Sequence, residues 1–219
     1  MVIVPLTIDE ALKRLCPHLH IAWVQGRAKV EASSPALIAL LEERAAQIAA
    51  SGLEPASNPE IAATRAAYKA LGKEPSRYRG SAEALARRVI SGKGLYFVNN
   101  LVDVNNLISL ETLLPLGSYD LGKIANEVVF RVGKPGESYP GIGKDSINIA
   151  DLPVFADDQG AFGSPTSDSQ RSMITNGTTA FALAIISFSE KSDLRGHAQR
   201  AGALLAQHAS GSEISVEIV

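Results

Sequence analysis

One polar run inside an apolar stretch most constrains how this chain can fold. Residues 99–106 read Asn-Asn-Leu-Val-Asp-Val-Asn-Asn, and the stretch continues to Gly-Ser-Tyr-Asp at residues 117–120. Its flanks, residues 95–98 and 107–110, are apolar, and we expect both to be buried. Burying amides and carboxylates costs free energy unless each finds a hydrogen-bond partner, so this density predicts a fixed polar network. The alternative is that the asparagines only cap a helix and satisfy a turn.

Composition limits the classes of function that need to be considered. The chain has 219 residues, 46% of them hydrophobic and 20% charged, which predicts an ordinary soluble globular protein. The net charge of −2 gives no general attraction to nucleic acid, so any RNA contact is expected to be local, and no DNA binding is predicted. The single cysteine, Cys16, excludes a disulfide framework within the chain and a cysteine-based zinc site. We therefore predict no metal, no cofactor, no membrane span and a cytoplasmic location, and leave the oligomeric state open.

Cap and turn residues divide the chain into helices and strands. Ser34-Pro35 and Asn58-Pro59 each place a capping side chain before a proline in the first helical turn. Strands and helices mix without a regular βαβ rhythm, which predicts an α+β fold with a mixed or antiparallel sheet and flanking helices. We predict a mainly helical part over residues 1–74, packed on a domain over residues 75–219. Helices are predicted from Pro35, Pro59 and Ser81 and over 104–114 and 192–209, and strands over 21–24, 95–102, 128–132, 181–188 and 213–219.

A second polar stretch covers residues 157–171. Gly163 and Pro165 restrict the backbone, hydroxyl and carboxylate side chains follow, and Arg171 is expected to reach back to Asp168. Such a loop suits the amino and carbonyl groups of a small ligand, although a solvent-exposed turn is the alternative. The candidate ligand-binding residues of the two stretches are Asn105, Asn106, Gly117, Gly163, Ser164, Thr166, Ser167, Ser169 and Arg171.

Basic side chains concentrate between residues 69 and 93. This segment contains seven lysines and arginines but only two acidic residues, Glu74 and Glu83. This excess predicts a local RNA-backbone contact, and the alternative is the solvated face of a helix. The candidate RNA-binding residues are Arg77, Arg79, Arg87 and Arg88.

Taken together, the two polar stretches resemble the tRNA-editing (B3/B4) domain of the phenylalanyl-tRNA synthetase β subunit. Residues 99–106 and 115–120 are similar to its VDVTN…PLHAFD pattern, and residues 163–171 resemble the GSPTSDS-type loop of free-standing relatives. The resemblance covers roughly residues 75–190. In the synthetase this domain hydrolyses tyrosine mischarged onto phenylalanine tRNA, using an amino-acid pocket and a positioned water. The family pattern has a histidine where Gly117 stands and a glutamate where Ala184 stands, so the tyrosine specificity is not carried over.

The resemblance implies a free-standing editing-like protein. It would bind an aminoacyl or amino-acid-like ligand, free or linked to tRNA, and hydrolyse mischarged aminoacyl-tRNA in trans. Backbone N–H groups of the Gly163–Ser164 turn would stabilise the oxyanion, and Asp120 or Asp168 would activate the water. The alternative is a non-catalytic module that binds RNA or a small ligand on the same fold. No aminoacylation motif is visible, so the chain is not expected to be a ligase by itself.

Overall fold

The structure is a computed structural model that describes residues 3–219, and it confirms the predicted α+β class. Six α-helices and ten strands lie within these residues. The helices are α1 (Glu10–Leu15), α2 (Pro35–Ala50), α3 (Pro59–Ala70), α4 (Ser81–Ile90), α5 (Asn100–Thr112) and α6 (Leu194–His208). The strands are β1 (Leu6–Ile8), β2 (His20–Arg27), β3 (Leu116–Asp120), β4 (Val128–Val132), β5 (Ser138–Gly141), β6 (Lys144–Asn148), β7 (Pro153–Asp157), β8 (Gly160–Gly163), β9 (Ala180–Ser187) and β10 (Ser212–Ile218).

The central sheet is antiparallel, with strand order β10-β2-β9-β3, and both of its faces are covered. In β2, Ala22 and Val24 face the core formed with the helices, whereas Ile21 and Trp23 face a second core. A strand buried on both sides is apolar at every position rather than at alternate ones. For this reason residues 21–24 of β2 form a continuous apolar run, and the strand extends beyond the predicted bounds to His20–Arg27.

The second core lies between the central sheet and a second sheet of order β1-β4-β7-β8. β1 and β4 are parallel, and the remaining pairs are antiparallel. Aromatic rings fill the space between the sheets, with the centroids of Phe130 and Phe155 4.4 Å apart and those of Trp23 and Phe155 5.8 Å apart. β5 and β6 form a separate hairpin, in a segment where no strand was predicted.

Cap residues place the predicted helix starts correctly. Ser34 Oγ accepts a hydrogen bond from the N–H of Leu37, and Asn58 Oδ1 accepts from the N–H groups of Glu60 and Ile61. Each proline occupies the first turn, where its missing N–H has no helical acceptor to lose. None of the helices in residues 3–219 is long and apolar enough to cross a membrane.

The predicted strand over residues 95–102 is wrong. α5 begins at Asn100, because the Oδ1 of Asn99 accepts a hydrogen bond from the N–H of Val102 at 2.9 Å and caps the helix. Residues 95–98 belong to no strand or helix. They were expected to be buried, yet Tyr96, Phe97 and Val98 are 69%, 43% and 61% exposed.

Candidate functional site

The first turn of α5 uses its polar side chains to hold the fold together. Asn100 Nδ2 donates to the carbonyls of Lys29 and His208, and its Oδ1 accepts from the N–H of Glu31. Asp103 accepts from the Ser33 hydroxyl at 2.5 Å and from the Val98 N–H at 3.1 Å. Burial raises the pKa of Asp103, and the two hydrogen bonds oppose that rise. These residues therefore act as internal hydrogen-bonding groups.

One turn further along α5, the polar side chains face a cavity of about 280 Å³ between α4 and α5. Its volume is near the lower end of the range for small-molecule sites. We call it the amide pocket. Its lining consists of Ser81, Ala84, Leu85, Arg88, Asn105, Asn106, Ser109 and Thr166. The structure thus brings together three of the predicted ligand residues, Asn105, Asn106 and Thr166, with one predicted RNA residue, Arg88.

The three hydroxyls of the amide pocket are already bonded within the protein. Ser81 Oγ lies 3.2 Å from both the N and the O of Leu116, which ties the start of α4 to β3. Ser109 Oγ donates to the Leu114 carbonyl at 3.0 Å. Thr166 Oγ1 lies 2.6 Å from the hydroxyl of Tyr68. These hydroxyls fix the walls of the pocket, and the remaining hydrogen-bonding capacity belongs to the two asparagines and Arg88.

Two polar atoms of the pocket residues are buried without a partner. Among the described residues, only three buried side-chain nitrogen or oxygen atoms lack one, and they include Asn105 Oδ1 and Arg88 Nε. Asn105 is 9% exposed, and its Nδ2 is 3.5 Å from Asn106 Oδ1. A buried polar atom without a hydrogen bond costs about 1–3 kcal/mol, so such atoms are uncommon and often mark sites of function. Two residues that line the pocket therefore carry one buried acceptor and one buried donor without a partner in the fold.

The loop at residues 163–168 is closed on itself. Ser164 Oγ donates to the Ser167 carbonyl at 2.8 Å and accepts from the N–H groups of Thr166 and Ser167. The backbone N–H of Ser164, which was predicted to stabilise an oxyanion, instead donates to Asp168 Oδ1 at 3.4 Å. Tyr139 donates its hydroxyl to the Ser167 carbonyl at 2.6 Å. Within this loop Thr166 contributes its side chain to the amide pocket.

Asp168 and Tyr119 form a polar pair at the edge of the second core. The Tyr119 hydroxyl donates to Asp168 Oδ1 at 2.9 Å. Burial raises the pKa of Asp168 to about 7, while the hydrogen bonds from Tyr119 and from the Ser164 N–H lower it. A Cβ built at Gly117 or at Gly163 would collide with the Tyr119 hydroxyl. Both glycines therefore pack against the Tyr119 side chain. Neither of them lines the amide pocket.

Three other predicted residues are bonded elsewhere in the fold. Asp120 is 7% exposed, and it accepts from the Thr178 hydroxyl at 2.8 Å and from the Gly122 N–H at 2.9 Å. Ser169 is buried, and its Oγ accepts from the N–H of Arg171 at 3.1 Å. The expected pairing of Arg171 with Asp168 is wrong, because Arg171 is paired elsewhere.

The partner of Arg171 is Asp157, at the end of β7. The guanidinium donates to both carboxylate oxygens of Asp157 at 2.9 Å, and also to the carbonyls of Lys123 and Gly160. The Asp157 side chain is fully buried. A bidentate pair with the guanidinium supplies a charged donor to each of its two carboxylate oxygens. Arg171 thereby fastens the end of the 163–171 loop to the second sheet.

Sequence reasoning did not identify Ser81, Leu85 or Ser109 as pocket residues. Ser81, Leu85 and Arg88 are spaced four and three residues apart along α4, and Asn105 and Ser109 are four apart along α5. Such spacing places side chains on one face of a helix. The sequence does not predict that these faces of α4 and α5 lie opposite each other, because that depends on how the two helices pack. Residues 3–219 hold no group of three metal-ligating side chains.

The fold and the pocket define an α+β domain with a small open cavity between two helices, lined by both polar and apolar groups. Residues 63–209 match the B3/4 domain family, and the chain belongs to that family. Among solved structures, the chain is similar to an N-terminal fragment of the phenylalanyl-tRNA synthetase β-subunit from Pyrococcus horikoshii, at 12% identity and a TM-score of 0.49. That similarity covers 100% of this chain and 51% of the other, so this chain spans about half the length of that fragment. Curated proteins gave no match.

Proposed function

We propose that this protein binds an amino-acid-like ligand in the amide pocket. The observation that carries the proposal is the buried Asn105 Oδ1, an acceptor without a partner in the wall of a pocket whose lining also includes Arg88, a residue with an unpaired buried donor, Nε. An α-amino acid or its ester has a donor group, the amine, and an acceptor group, the carboxylate or ester carbonyl, on adjacent carbons. The amine suits Asn105 and the acceptor suits Arg88 or an asparagine N–H.

The apolar part of the pocket limits the ligand. Ala84 and Leu85 supply an apolar wall next to the polar groups, so an aliphatic or small side chain fits beside them. A cavity of about 280 Å³ holds one amino acid or a small dipeptide. Membership of the B3/4 domain family supports the same class of ligand.

The binding test is a thermal-shift and calorimetric screen of free amino acids, amino-acid methyl esters and dipeptides. We expect at least one ligand to bind, and Asn105→Leu to abolish its binding. Because Asn105 Oδ1 has no partner within the fold, the leucine variant should be as stable as the parent or more stable. Asn176→Leu, which replaces an exposed asparagine in a turn, is the matched control and should bind normally. Equal affinity of both variants for the ligand would refute the proposal.

A second candidate function is hydrolysis of an aminoacyl ester, with Asp168 as the base. A carboxylate with a pKa of about 7 can take a proton from water near neutral pH. Thr166, two residues away, lines the amide pocket. The test is deacylation of a panel of mischarged tRNAs at low and moderate salt, with Asp168→Asn as the variant. Turnover by the parent but not by this folded variant would support hydrolysis, whereas turnover by both would exclude Asp168 as the base.

A further inference from the structure

β10 is an outer strand of the central sheet, and within the described residues no strand pairs with its outer side. It spans seven residues, Ser212–Ile218. Just beyond it, Val219 and Ile21 exchange two backbone hydrogen bonds, at 2.9 and 3.0 Å. Hydrogen-bonded and non-hydrogen-bonded pairs alternate along an antiparallel ladder, so the N–H and C=O groups of Val216 and Ile218 point away from β2. The edge therefore offers backbone donors and acceptors on its outer side.

The other ends of the two four-stranded sheets are short or covered. β1 has three residues. At the β3 end, the Ser81 hydroxyl lies 3.2 Å from both the N and the O of Leu116. At the β8 end, the Phe162 carbonyl accepts from the N–H of Ser169 and from the hydroxyl of Ser172. Proteins shield edge strands in these ways because an open edge pairs readily with another strand, and β10 lacks such a cover.

The two faces of β10 differ in chemistry. Ile214 and Ile218 pack against the core that the central sheet forms with the helices. Val216 lies between them on the same face and is 37% exposed. Ser215 and Glu217 project from the opposite face. One face of the edge is thus an apolar row whose middle member is left open, and the other face is polar.

We propose that β10 pairs with β10 of a second copy of this chain, antiparallel and about a two-fold axis at Val216. In this register Val216 lies opposite Val216 of the second copy, and Ile214 lies opposite Ile218. The apolar row therefore continues across the interface. On the polar face Glu217 lies opposite Ser215, whose hydroxyl can donate to the carboxylate. The strand is complementary to itself on both faces.

Charge disfavours the two neighbouring registers. An axis at Glu217 would place this carboxylate directly opposite itself. An axis at Ser215 would place Glu217 opposite Glu213, whose charge Arg27 offsets in part from 3.3 Å. Like charges directly opposite each other on paired strands destabilise the pairing. The axis at Val216 brings no like charges directly opposite each other.

This pairing joins two four-stranded central sheets into one of eight strands and leaves both amide pockets open. Ser81, in the pocket wall, is bonded to Leu116 on β3, at the end of the central sheet opposite β10. No residue of β10 lines the pocket. The inference therefore goes beyond the proposed function and does not depend on it.

The test is sedimentation equilibrium of the full chain over a concentration series, in which we expect a monomer–dimer equilibrium. Val216→Lys and Val216→Glu each place like charges opposite each other at the axis and remove the apolar contact there. Each should weaken dimer formation by about tenfold or more. An equimolar mixture of the two variants places opposite charges at the axis and should form dimers again. Energy transfer between fluorophores on the amino termini of the two variants detects these mixed dimers.

Val98→Lys is the matched control, because Val98 is 61% exposed and lies outside β10, and this variant should dimerise like the parent. A monomer at every concentration, or a dimer that Val216→Lys does not weaken, would overturn the proposal. Loss of the dimer in both Val216 variants without recovery in the mixture would also overturn the pairing at Val216. Asn105→Leu should dimerise normally whether or not it binds a ligand, so failure of one proposal leaves the other standing.

Discussion

Tyr119 and Asp168 are 49 residues apart in the sequence, and the hydroxyl of the first donates to the carboxylate of the second at 2.9 Å. This bond joins β3 of the central sheet to the loop that follows β8 of the second sheet. Tyr119 is completely buried, and its ring packs edge-on against Phe162 with centroids 5.1 Å apart. The pair therefore positions the 163–168 loop, whose Thr166 forms part of the amide pocket.

Tyr119→Phe should destabilise the protein by about 1–3 kcal/mol, because it removes the hydroxyl donor of Asp168 and leaves that carboxyl only the longer bond from the Ser164 N–H. Urea unfolding followed by circular dichroism measures the change. Tyr96→Phe removes the hydroxyl of an exposed tyrosine and should change the free energy of unfolding by less than about 0.5 kcal/mol. Equal effects of the two substitutions would contradict a stabilising role for the Tyr119–Asp168 bond.

Gly117→Ala should also be destabilising, by about 1–3 kcal/mol, because the added Cβ collides with the Tyr119 hydroxyl. In a Tyr119→Phe background the nearest colliding atom is absent, so the same substitution should cost less. A double-mutant cycle on unfolding free energies measures the coupling between the two positions. Strict additivity would show that Gly117 and Tyr119 are independent. The same collision explains why the histidine of the family pattern has no room at residue 117.

The contribution of Asp168 to the stability of the protein should fall as the pH rises from about 4 to about 7. Burial raises the pKa of Asp168 from an ordinary 3.8 to about 7, so within that window the folded state binds more protons than the unfolded state. The free energy of unfolding then decreases with pH and levels off above about 7. Asp168→Asn does not titrate, and the difference between its melting-temperature profile and that of the parent isolates this contribution. Parallel profiles would mean that Asp168 ionises normally in the folded protein.

Arg171→Ala should destabilise the protein by about 3–5 kcal/mol, because the buried Asp157 carboxylate loses its charged partner and keeps only the backbone N–H groups of Ala125 and Gln159 as donors. The folded fraction of this variant should bind the ligand with unchanged affinity. Arg171 is hydrogen-bonded to Asp157, Lys123 and Gly160 and does not line the amide pocket. Chemical unfolding and calorimetric binding together check both parts. Arg77→Ala is the control on an exposed arginine. Loss of affinity at constant stability would restore the sequence-based prediction that Arg171 binds the ligand.

Local chemistry determined much of the fold. Ser34 and Asn58 cap their helices through bonds to residues two or three positions away, and short-range bonds of this kind can be predicted from neighbouring residues. The apolar runs of β2 and β9 likewise predict strands, whatever position each strand takes in the sheet. The polar density of residues 99–106 indicated correctly that buried amides and carboxylates would need partners.

Tertiary structure decided which of those polar residues are structural and which face a cavity. Asn100 is bonded to Lys29, Glu31 and His208, residues as far as 108 positions away, whereas Asn105, one and a half turns along the same helix, keeps a free acceptor. The two are the same residue type, so only the packing of α5 against its neighbours distinguishes them. The partner of Arg171 was likewise decided by the sheet that brings Asp157 beside it. Sequence spacing determines which groups share a helix face, but the distance between two faces is set by how the whole chain packs.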